Sequence, residues 1–247
     1  MNNHIPKVIN VTWKTKDISD SQNPLILNGL RNLIDLNPDW QVVVHDDDDI
    51  EEYLKDHVSY NDYNMIRNVH VVEKSDIWRL LKIYNEGGCY TDLDRFCNIG
   101  FDDIVNDETR CLLPTCLDFD FSQDFMMSAP ENPIFKYTYS LLMQRRKEGH
   151  TRTYFLGPQT YMHGVTQVLF GEIINTDPGI EKFTEMRDKI AKIPFIQTYR
   201  EYPPYDTVTY QHNKGTFKMG NSTTTDWEQI KKSFYAEHNL KHWSGEW

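Results

Sequence analysis

The chain has 247 residues, 39% of them hydrophobic, and a formal net charge of −11 at pH 7. This length and composition predict one large globular domain with enough apolar residues for a sizeable core. The acidic balance lacks the basic footprint that binding to DNA or RNA requires, so nucleic acid is excluded as an expected partner.

The sequence shows no segment that predicts insertion into a membrane. It has no run of about 18 or more apolar residues, and its first residues lack the apolar core of a signal peptide. We therefore expect a cytoplasmic protein of a bacterium or of a virus-infected host cell, or a protein that has lost its anchor. The four cysteines form no C-x-x-C pair, and we expect them to be buried free thiols.

The first part of the chain alternates strand and helix patterns. Residues 5–12 are rich in β-branched residues and predict a strand, after which Pro24 opens a helix whose apolar stripe runs to Leu36. Residues 40–45 predict a second strand, and their continuous β-branched run indicates burial on both faces. The four aspartates at 46–49 favour the N-terminal cap of a following helix. Strand, helix and strand at this spacing predict a parallel α/β sheet.

An unusual combination of glycines and acids comes next. Residues 72–86 predict a helix, the glycines at 87–88 end it, and residues 89–91 predict a short strand that runs into Asp92 and Asp94. Ligands of parallel α/β sheets bind beyond the carboxyl ends of the strands. Two carboxylates separated by one residue share a side of the strand, so they predict a site for Mg²⁺ or Mn²⁺ that substrate phosphates and water complete.

The second part of the chain has less regular patterns. A strand is predicted at 112–114, and helices are predicted at 133–149 and 180–192. A turn at 156–160 is predicted to open a further helix, which runs to about Leu169. No internal repeat, low-complexity tract or linker divides the chain, so we expect one domain.

Two segments carry a resemblance to a known family. IPKVINVTWK at residues 5–14 is similar to the opening strand of the sugar transferases of glycosyltransferase family 32. KSDIWRLLKIYNEGGCYTDLD at residues 74–94 resembles their DXD-containing sugar-binding region, which is shared with the fungal initiating α-mannosyltransferases and, more distantly, with the large clostridial glucosylating toxins. Gly157-Pro158 and the terminal HWSGEW also have similar counterparts. A lone acidic pair carries little information, but these motifs in this order are specific.

The resemblance implies a glycosyltransferase A fold, with one Rossmann-like α/β domain over residues 1–247 and a mainly parallel central sheet flanked by helices. It implies that residues 1–100 bind the nucleotide sugar, and that residues 101–247 form the acceptor half with a C-terminal tail that folds back over the donor. The implied enzyme is a retaining hexosyltransferase that uses Mn²⁺ or Mg²⁺. It would move a hexose from a nucleotide diphosphate sugar, a UDP- or GDP-sugar, to a glycan or other hydroxyl acceptor.

The resemblance also assigns roles to the residues around the acidic pair. Asp92 and Asp94 would hold the metal and the donor diphosphate, one directly and the other through water or by contact with the donor ribose or sugar. Asp76 and Arg79 lie three residues apart on one helix face and would point at the donor sugar and phosphates, with Ser75 beside them. The alternative for Asp76 and Arg79 is an ordinary surface ion pair.

Two aromatic residues near the strand ends have two interpretations each. Tyr90 shares a strand face with Asp92, and it either contacts the donor near the phosphates or is a half-buried tyrosine of the sheet. Trp13 follows the first strand, and it either stacks against the donor base or belongs to the core.

The C-terminal tail supplies a second set of implied donor contacts. His242 is the expected metal ligand or phosphate contact, with His238 as the alternative, whereas Ser244 and Trp247 are expected to contact the diphosphate. Glu246 stands where a small residue or Ser is more usual in the family.

The acceptor side is less defined by the sequence. Gly157-Pro158 is expected to shape a loop before a helix on that side. An aromatic-rich stretch carries three candidates for contact with the acceptor, between which the sequence does not choose: Asp118, Asp120 and Asp124.

Two other functions stay open. A non-catalytic protein that binds a nucleotide sugar or a glycan would keep the same pocket without turnover. A divalent-cation phosphohydrolase built on the acids at 46–49 is a weaker alternative, because that run suits a helix cap.

Overall fold

A computed structural model describes residues 4–18, 24–93, 96–97, 99–115, 121–176, 178–193, 195–200, 219–220 and 236. The strands are β1 (Val8–Thr12), β2 (Gln41–His45), β3 (Gly88–Thr91), β4 (Phe96–Cys97), β5 (Cys111–Thr115), β6 (Phe125–Ser128), β7 (Ile196–Arg200) and β8 (Met219–Gly220). The helices are α1 (Pro24–Leu36), α2 (Asp47–His57), α3 (Tyr60–Ile66), α4 (Val71–Glu86), α5 (Pro133–Lys147), α6 (Thr153–Leu156), α7 (Pro158–Phe170) and α8 (Ile180–Ile190).

Six strands form a central sheet in the order β2-β1-β3-β6-β5-β7. β1 pairs with β2 and β3 in parallel, and β5 pairs with β7 in parallel. β6 is antiparallel to both of its neighbours, β3 and β5. The sheet is therefore mainly parallel, and β6 alone among these six strands runs in the opposite direction. The predicted α/β class with a mainly parallel sheet is confirmed.

Helices cover both faces of this sheet. On β3, Cys89 joins a buried cluster that includes Leu33 of α1, whereas the adjacent Tyr90 joins the cluster that contains Trp78 of α4 and Phe135 of α5. Because neighbouring residues of a strand point to opposite faces, β3 and β6 at the centre of the sheet are buried at every position. The result is a three-layer arrangement with one core on each side of the sheet.

The position of β2 corrects one prediction. The three valines of β2 predicted burial on both faces, yet β2 lies at the edge of the sheet and none of its residues is fully buried. Among the strands that the structure describes, it pairs only with β1. A β-branched run indicates a strand, but it does not show how many neighbours that strand has.

The acidic run after β2 is a helix cap, as predicted. The Asp46 carboxylate accepts a hydrogen bond from the backbone N–H of Asp49 at 2.9 Å, and the Asp49 carboxylate accepts one from the backbone N–H of Asp46 at 3.3 Å. This reciprocal capping box begins α2. Asp49 also forms an ion pair of 2.8 Å with Lys16.

Two further expectations concern the cysteines and the membrane. Cys89, Cys97 and Cys111 are buried and free, as predicted, and Cys116 lies outside the described residues. In the part of the chain that the structure describes, no helix has the length and apolar character needed to cross a bilayer.

Candidate functional site

The carboxyl ends of β1, β2 and β3 meet at one edge of the sheet, because these strands are parallel. Trp13 follows β1 there, and its backbone N–H donates to the carbonyl of His45 at 3.0 Å. Asp92 follows β3 at the same edge. β6 is antiparallel to β3 and pairs Phe125 with Thr91, so the segment before β6 also arrives at this edge.

Arg79 lies at the centre of this edge and is buried. Its guanidinium nitrogens lie 3.2 Å from Oδ1 of Asp76 and 3.5 Å from Oδ1 of Asp92. They also donate to the carbonyl and hydroxyl of Ser75 at 3.4 Å and to the carbonyl of Gln123 at 3.1 Å. One buried cation therefore connects α4, the end of β3 and the segment before β6.

Tyr90 joins Arg79 to Asp92. Its ring is fully buried, and Cζ of Arg79 lies 4.3 Å from the ring centroid. Its hydroxyl donates to Oδ1 of Asp92 at 2.5 Å and lies 3.5 Å from the hydroxyl of Thr12. The interpretation of Tyr90 as a half-buried tyrosine is wrong, since only its hydroxyl reaches the acidic edge.

The charges of this cluster are set by burial and by its members' proximity. Burial disfavours the charge of Arg79, yet the adjacent phenol and carboxylates raise its pKa, so the guanidinium stays charged. Burial raises the pKa of Tyr90, so its hydroxyl keeps the proton and donates a hydrogen bond to Asp92. Burial also raises the pKa of Asp76 to about 6, against the opposing effect of Arg79. Asp76 therefore changes its charge just below neutral pH.

Gln123 is part of this site, and the sequence analysis missed it. Its side-chain amide donates to Oδ1 of Asp76 at 3.2 Å, and its carbonyl accepts from Arg79. The next residue, Asp124, accepts the backbone N–H of Asp92 on its own carbonyl at 2.9 Å. The direction of β6 would have pointed to Gln123 and Asp124, which directly precede this strand. An antiparallel neighbour of β3 begins beside the residue at which β3 ends.

Gly157 closes the other side of the Asp76 carboxylate. It forms the corner between α6 and α7, as its Gly-Pro sequence predicted. A Cβ atom at this position would lie 2.3 Å from Oδ2 of Asp76 and 2.8 Å from Nε2 of Gln123. The corner was expected on the acceptor side, but in the structure it contacts Asp76.

The structure thus brings one subset of the predicted site residues together, namely Ser75, Asp76, Arg79, Tyr90 and Asp92. The alternative of a surface ion pair is wrong, because the side chains of Asp76 and Arg79 are 5% and 8% exposed. Trp13 is partly buried and packs against the core cluster of β1. Other predicted residues lie outside the described residues: Asp94, Asp118, Asp120, His238, His242, Ser244, Glu246 and Trp247.

The chemistry of Asp92 fits a hard divalent cation. Mn²⁺ and Mg²⁺ prefer carboxylate oxygens and keep water and phosphate in their shells. The Asp92 side chain is 36% exposed, and the contacts described for it engage Oδ1. Within the described residues, no group of three His, Cys, Asp or Glu side chains is placed to hold a metal. A metal ion held at this edge would need further ligands, for which the sequence suggests Asp94 and His242 or His238.

Comparisons with known proteins find similar sequences among proteins named for glycosyl transfer. Residues 26–111 match the family model described as a glycosyltransferase sugar-binding region containing a DXD motif. The chain is 29% identical over 102 residues to inositol phosphoceramide mannosyltransferase 3 of Schizosaccharomyces pombe, and this match covers 41% of this chain and 28% of that protein. The chain is 26% identical over 170 residues to mannosyl phosphorylinositol ceramide synthase SUR1 of Saccharomyces cerevisiae, and this second match covers 69% of this chain and 41% of that protein. The chain thus spans less than half the length of these curated relatives.

The fold is similar to a solved structure, the PaToxG glycosyltransferase. The TM-score is 0.53, with 19% sequence identity, and the match covers 76% of this chain and 78% of that chain. At this identity the likeness concerns the fold alone. The resemblance to DXD-containing glycosyltransferases that was predicted from residues 74–94 is confirmed by the family match and by these relatives.

Proposed function

We propose that this protein is a glycosyltransferase that moves a hexose from a nucleotide diphosphate sugar to a hydroxyl group of a glycan or other acceptor, with retention of the anomeric configuration. The observation that carries the proposal is the buried cluster of Asp76, Arg79 and Tyr90, which meets Asp92 at the carboxyl end of β3. This cluster lies inside the segment that matches the sugar-binding family model. The relatives are named for mannose transfer, which favours a hexose as the transferred sugar.

Arg79 would orient the acidic residues and offset the negative charge of the donor diphosphate. Its planar group makes several directed hydrogen bonds at once, which a lysine could not reproduce. Because its raised pKa keeps it charged, this group is ready before the donor binds. Preorganised charge of this kind stabilises a developing anion without further rearrangement.

Asp92 would have an indirect role towards the metal. Its Oδ1 is already held by Tyr90 and Arg79, which suits Oδ2 for a water molecule or a donor hydroxyl. Asp94 would then be the direct ligand of Mn²⁺ or Mg²⁺, together with His242 or His238. Such an ion supplies Lewis-acid stabilisation of the leaving nucleoside diphosphate when it is bound. We assign no general base, because displacement on one face of the sugar does not require one.

The test is turnover by Asp92→Asn and Asp94→Asn. We expect either change to reduce the release of nucleoside diphosphate by about 100-fold or more, because each removes a carboxylate that would hold the metal ion, directly or through water, and that ion would offset the charge of the leaving group. UDP-glucose, UDP-galactose and GDP-mannose with Mn²⁺ are the donors to assay. Asp107→Asn, on an exposed turn, is the matched control and should keep full activity.

Full activity of either site variant after metal removal would overturn the proposal. A wild-type protein that binds a nucleotide sugar but never releases free sugar or nucleoside diphosphate would favour the non-catalytic binding protein instead. The phosphohydrolase alternative has no support, because Asp46 and Asp49 are engaged in the helix cap. The cytoplasmic location in a bacterium or virus-infected cell stays a prediction, and the relatives named above are fungal.

A further inference from the structure

We infer that Gln123 and Gly157 position the Asp76 carboxylate for the sugar part of the donor, and that they thereby set how tightly the site holds that sugar. This rests on the function proposed above. Gln123 and Gly157 come from the segment before β6 and from the α6–α7 corner, both far in the chain from Asp76.

Gln123 holds one oxygen of the carboxylate. The side chain of Asp76 is 5% exposed, so the carboxylate has lost most of the hydrogen bonds that it would make to water and depends on protein groups instead. Oδ1 lies 3.2 Å from Nη2 of Arg79 in an ion pair and accepts a hydrogen bond from Nε2 of Gln123 at 3.2 Å. The two groups belong to different segments and approach the same oxygen. The directed hydrogen bond from the amide of Gln123 therefore restrains the orientation of the carboxylate, in addition to the attraction of Arg79.

Gly157 supplies the space that the second oxygen occupies. A Cβ atom at 157 would lie 2.3 Å from Oδ2 of Asp76, which is closer than carbon and oxygen atoms approach without a bond between them. The φ angle of Gly157 is −86°, so the glycine is not required by a left-handed backbone. It is required by the carboxylate beside it. Any side chain at 157 would push Asp76 away from Arg79 or move the corner.

The affected part of the donor is the sugar and not the diphosphate. A carboxylate accepts hydrogen bonds from sugar hydroxyls but repels phosphate oxygens. The groups suited to the diphosphate are Arg79 and, with a metal, the acids after β3. The bond that Gln123 makes to Arg79 comes from its main-chain carbonyl, so a change of its side chain leaves that bond in place.

The experiment measures binding of the nucleotide and of the nucleotide sugar by calorimetry with Mn²⁺. The probes are UDP and GDP, each compared with UDP-glucose, UDP-galactose or GDP-mannose, and the variants are Gly157→Ala and Gln123→Met. We expect both variants to bind the free nucleotide within about twofold of the wild type. Affinity for the nucleotide sugar should fall about tenfold or more in each, the typical cost of one buried polar contact.

Two control variants separate positioning from general stability. Gly164→Ala lies on the same helix α7, and its Cβ would fall 1.8 Å from the hydroxyl of Thr138, away from Asp76. It should lower the melting temperature and leave the affinity ratio of nucleotide sugar to nucleotide unchanged. Gln144→Met makes the same chemical change on the exposed face of α5 and should alter neither.

The outcomes are distinct. Equal losses of nucleotide and nucleotide-sugar affinity in Gly157→Ala and Gln123→Met would overturn the inference, because both residues would then act through the whole site. Unchanged affinity for the nucleotide sugar would overturn it too. A wild-type protein that binds none of these probes would remove the proposed function itself, which is a separate result.

Discussion

At the scale of single residues, buried charge dominates the site. Arg79 and Asp76 are both more than nine-tenths buried, and they lie one turn apart on α4. A buried ion pair adds little net stability, because the loss of hydration offsets most of the attraction. Removal of one partner is costly, since it leaves the other charge unpaired. The pair is therefore better explained by the site that it orients than by stability.

His45 is a second residue whose surroundings change its chemistry. Burial lowers its pKa to about 4, and Lys82 contributes to the lowering. Its Nε2 lies 2.9 Å from Oδ1 of Asn10, whose amide nitrogen donates to the carbonyl of Cys89. Because Oδ1 only accepts, we infer that Nε2 carries the proton of a neutral imidazole. The ring also packs against Trp78, with centroids 4.8 Å apart.

The lowered pKa of His45 predicts that this residue makes the folded protein less stable in acid. The unfolded chain binds the proton near pH 6.5 and the folded chain only near pH 4, so stability falls as the pH drops between these values. Between about pH 7.5 and 4.5, the unfolding free energy of both proteins should fall. We expect the decrease in His45→Gln to be smaller than in the wild type by about 1–3 kcal/mol, after allowance for solvent screening. Urea unfolding at both pH values measures this difference.

The comparison with the variant is needed because Asp76 acts in the opposite direction. Its pKa in the folded protein, about 6, lies above its ordinary value, so the folded state takes up a proton first and gains stability on acidification. Subtracting the two proteins cancels that contribution. Equal acid losses in wild type and His45→Gln would show that His45 is not held neutral.

At the scale of elements, the junction of α4 and β3 places Asp92. Gly87 ends α4 with a φ angle of 71°, and Gly88 begins β3 with a φ angle of 90°. A Cβ atom on Gly87 would lie 2.8 Å from Cδ of Pro130, and one on Gly88 would lie 2.7 Å from the carbonyl oxygen of Val8. Both conformation and space therefore require glycine where the helix turns directly into a strand beside β1.

We predict that Gly88→Ala destabilises the protein by roughly 3 kcal/mol or more, because strain at positive φ adds to a clash with the backbone of β1. The same change should reduce turnover, since Asp92 follows β3 directly. Gly149→Ala is the matched control, with a φ angle of 89° but no atom within 4 Å of its Cβ position. It should cost only about 1 kcal/mol. Equal unfolding free energies for the two variants in urea would rule out the contact with β1.

At the scale of the whole molecule, the protein is acidic and the proposed donor is an anion. The net charge is −11, and the acids after β3 add to the local repulsion of phosphate. Among the described residues, Arg79 is the cation that contacts the carboxylates at this edge, those of Asp76 and Asp92. Donor binding should therefore depend on the positive charge of a divalent metal.

The corresponding prediction concerns thermal stability with ligands. A nucleotide sugar at about 100 times its Kd, with Mn²⁺, should add about 2.7 kcal/mol to the unfolding free energy and raise Tm by about 5–10 °C. Without Mn²⁺ the shift should be much smaller. A panel of UDP- and GDP-sugars, measured with Mn²⁺ and with a chelator, identifies the base and sugar as well. The same Tm shift in the presence of the chelator would contradict metal-dependent binding.

The amino-acid sequence by itself determined the features that depend on neighbours along the chain. The cap at Asp46, the glycine stop after α4 and the placement of Asp76 and Arg79 on one helix face follow from local spacing and backbone preference. For the same reason, the short strand that leads to Asp92 was predicted correctly.

Only the tertiary structure decided the features that depend on the order and direction of strands. It made β2 an edge strand, buried Tyr90 completely, and brought Gln123 and Gly157 to the carboxylate of Asp76. The physical reason is that one antiparallel strand returns the chain to the end of β3, and helices packed across the sheet carry a distant corner to the same place. Local propensity does not encode such contacts, because they form only when the whole core packs.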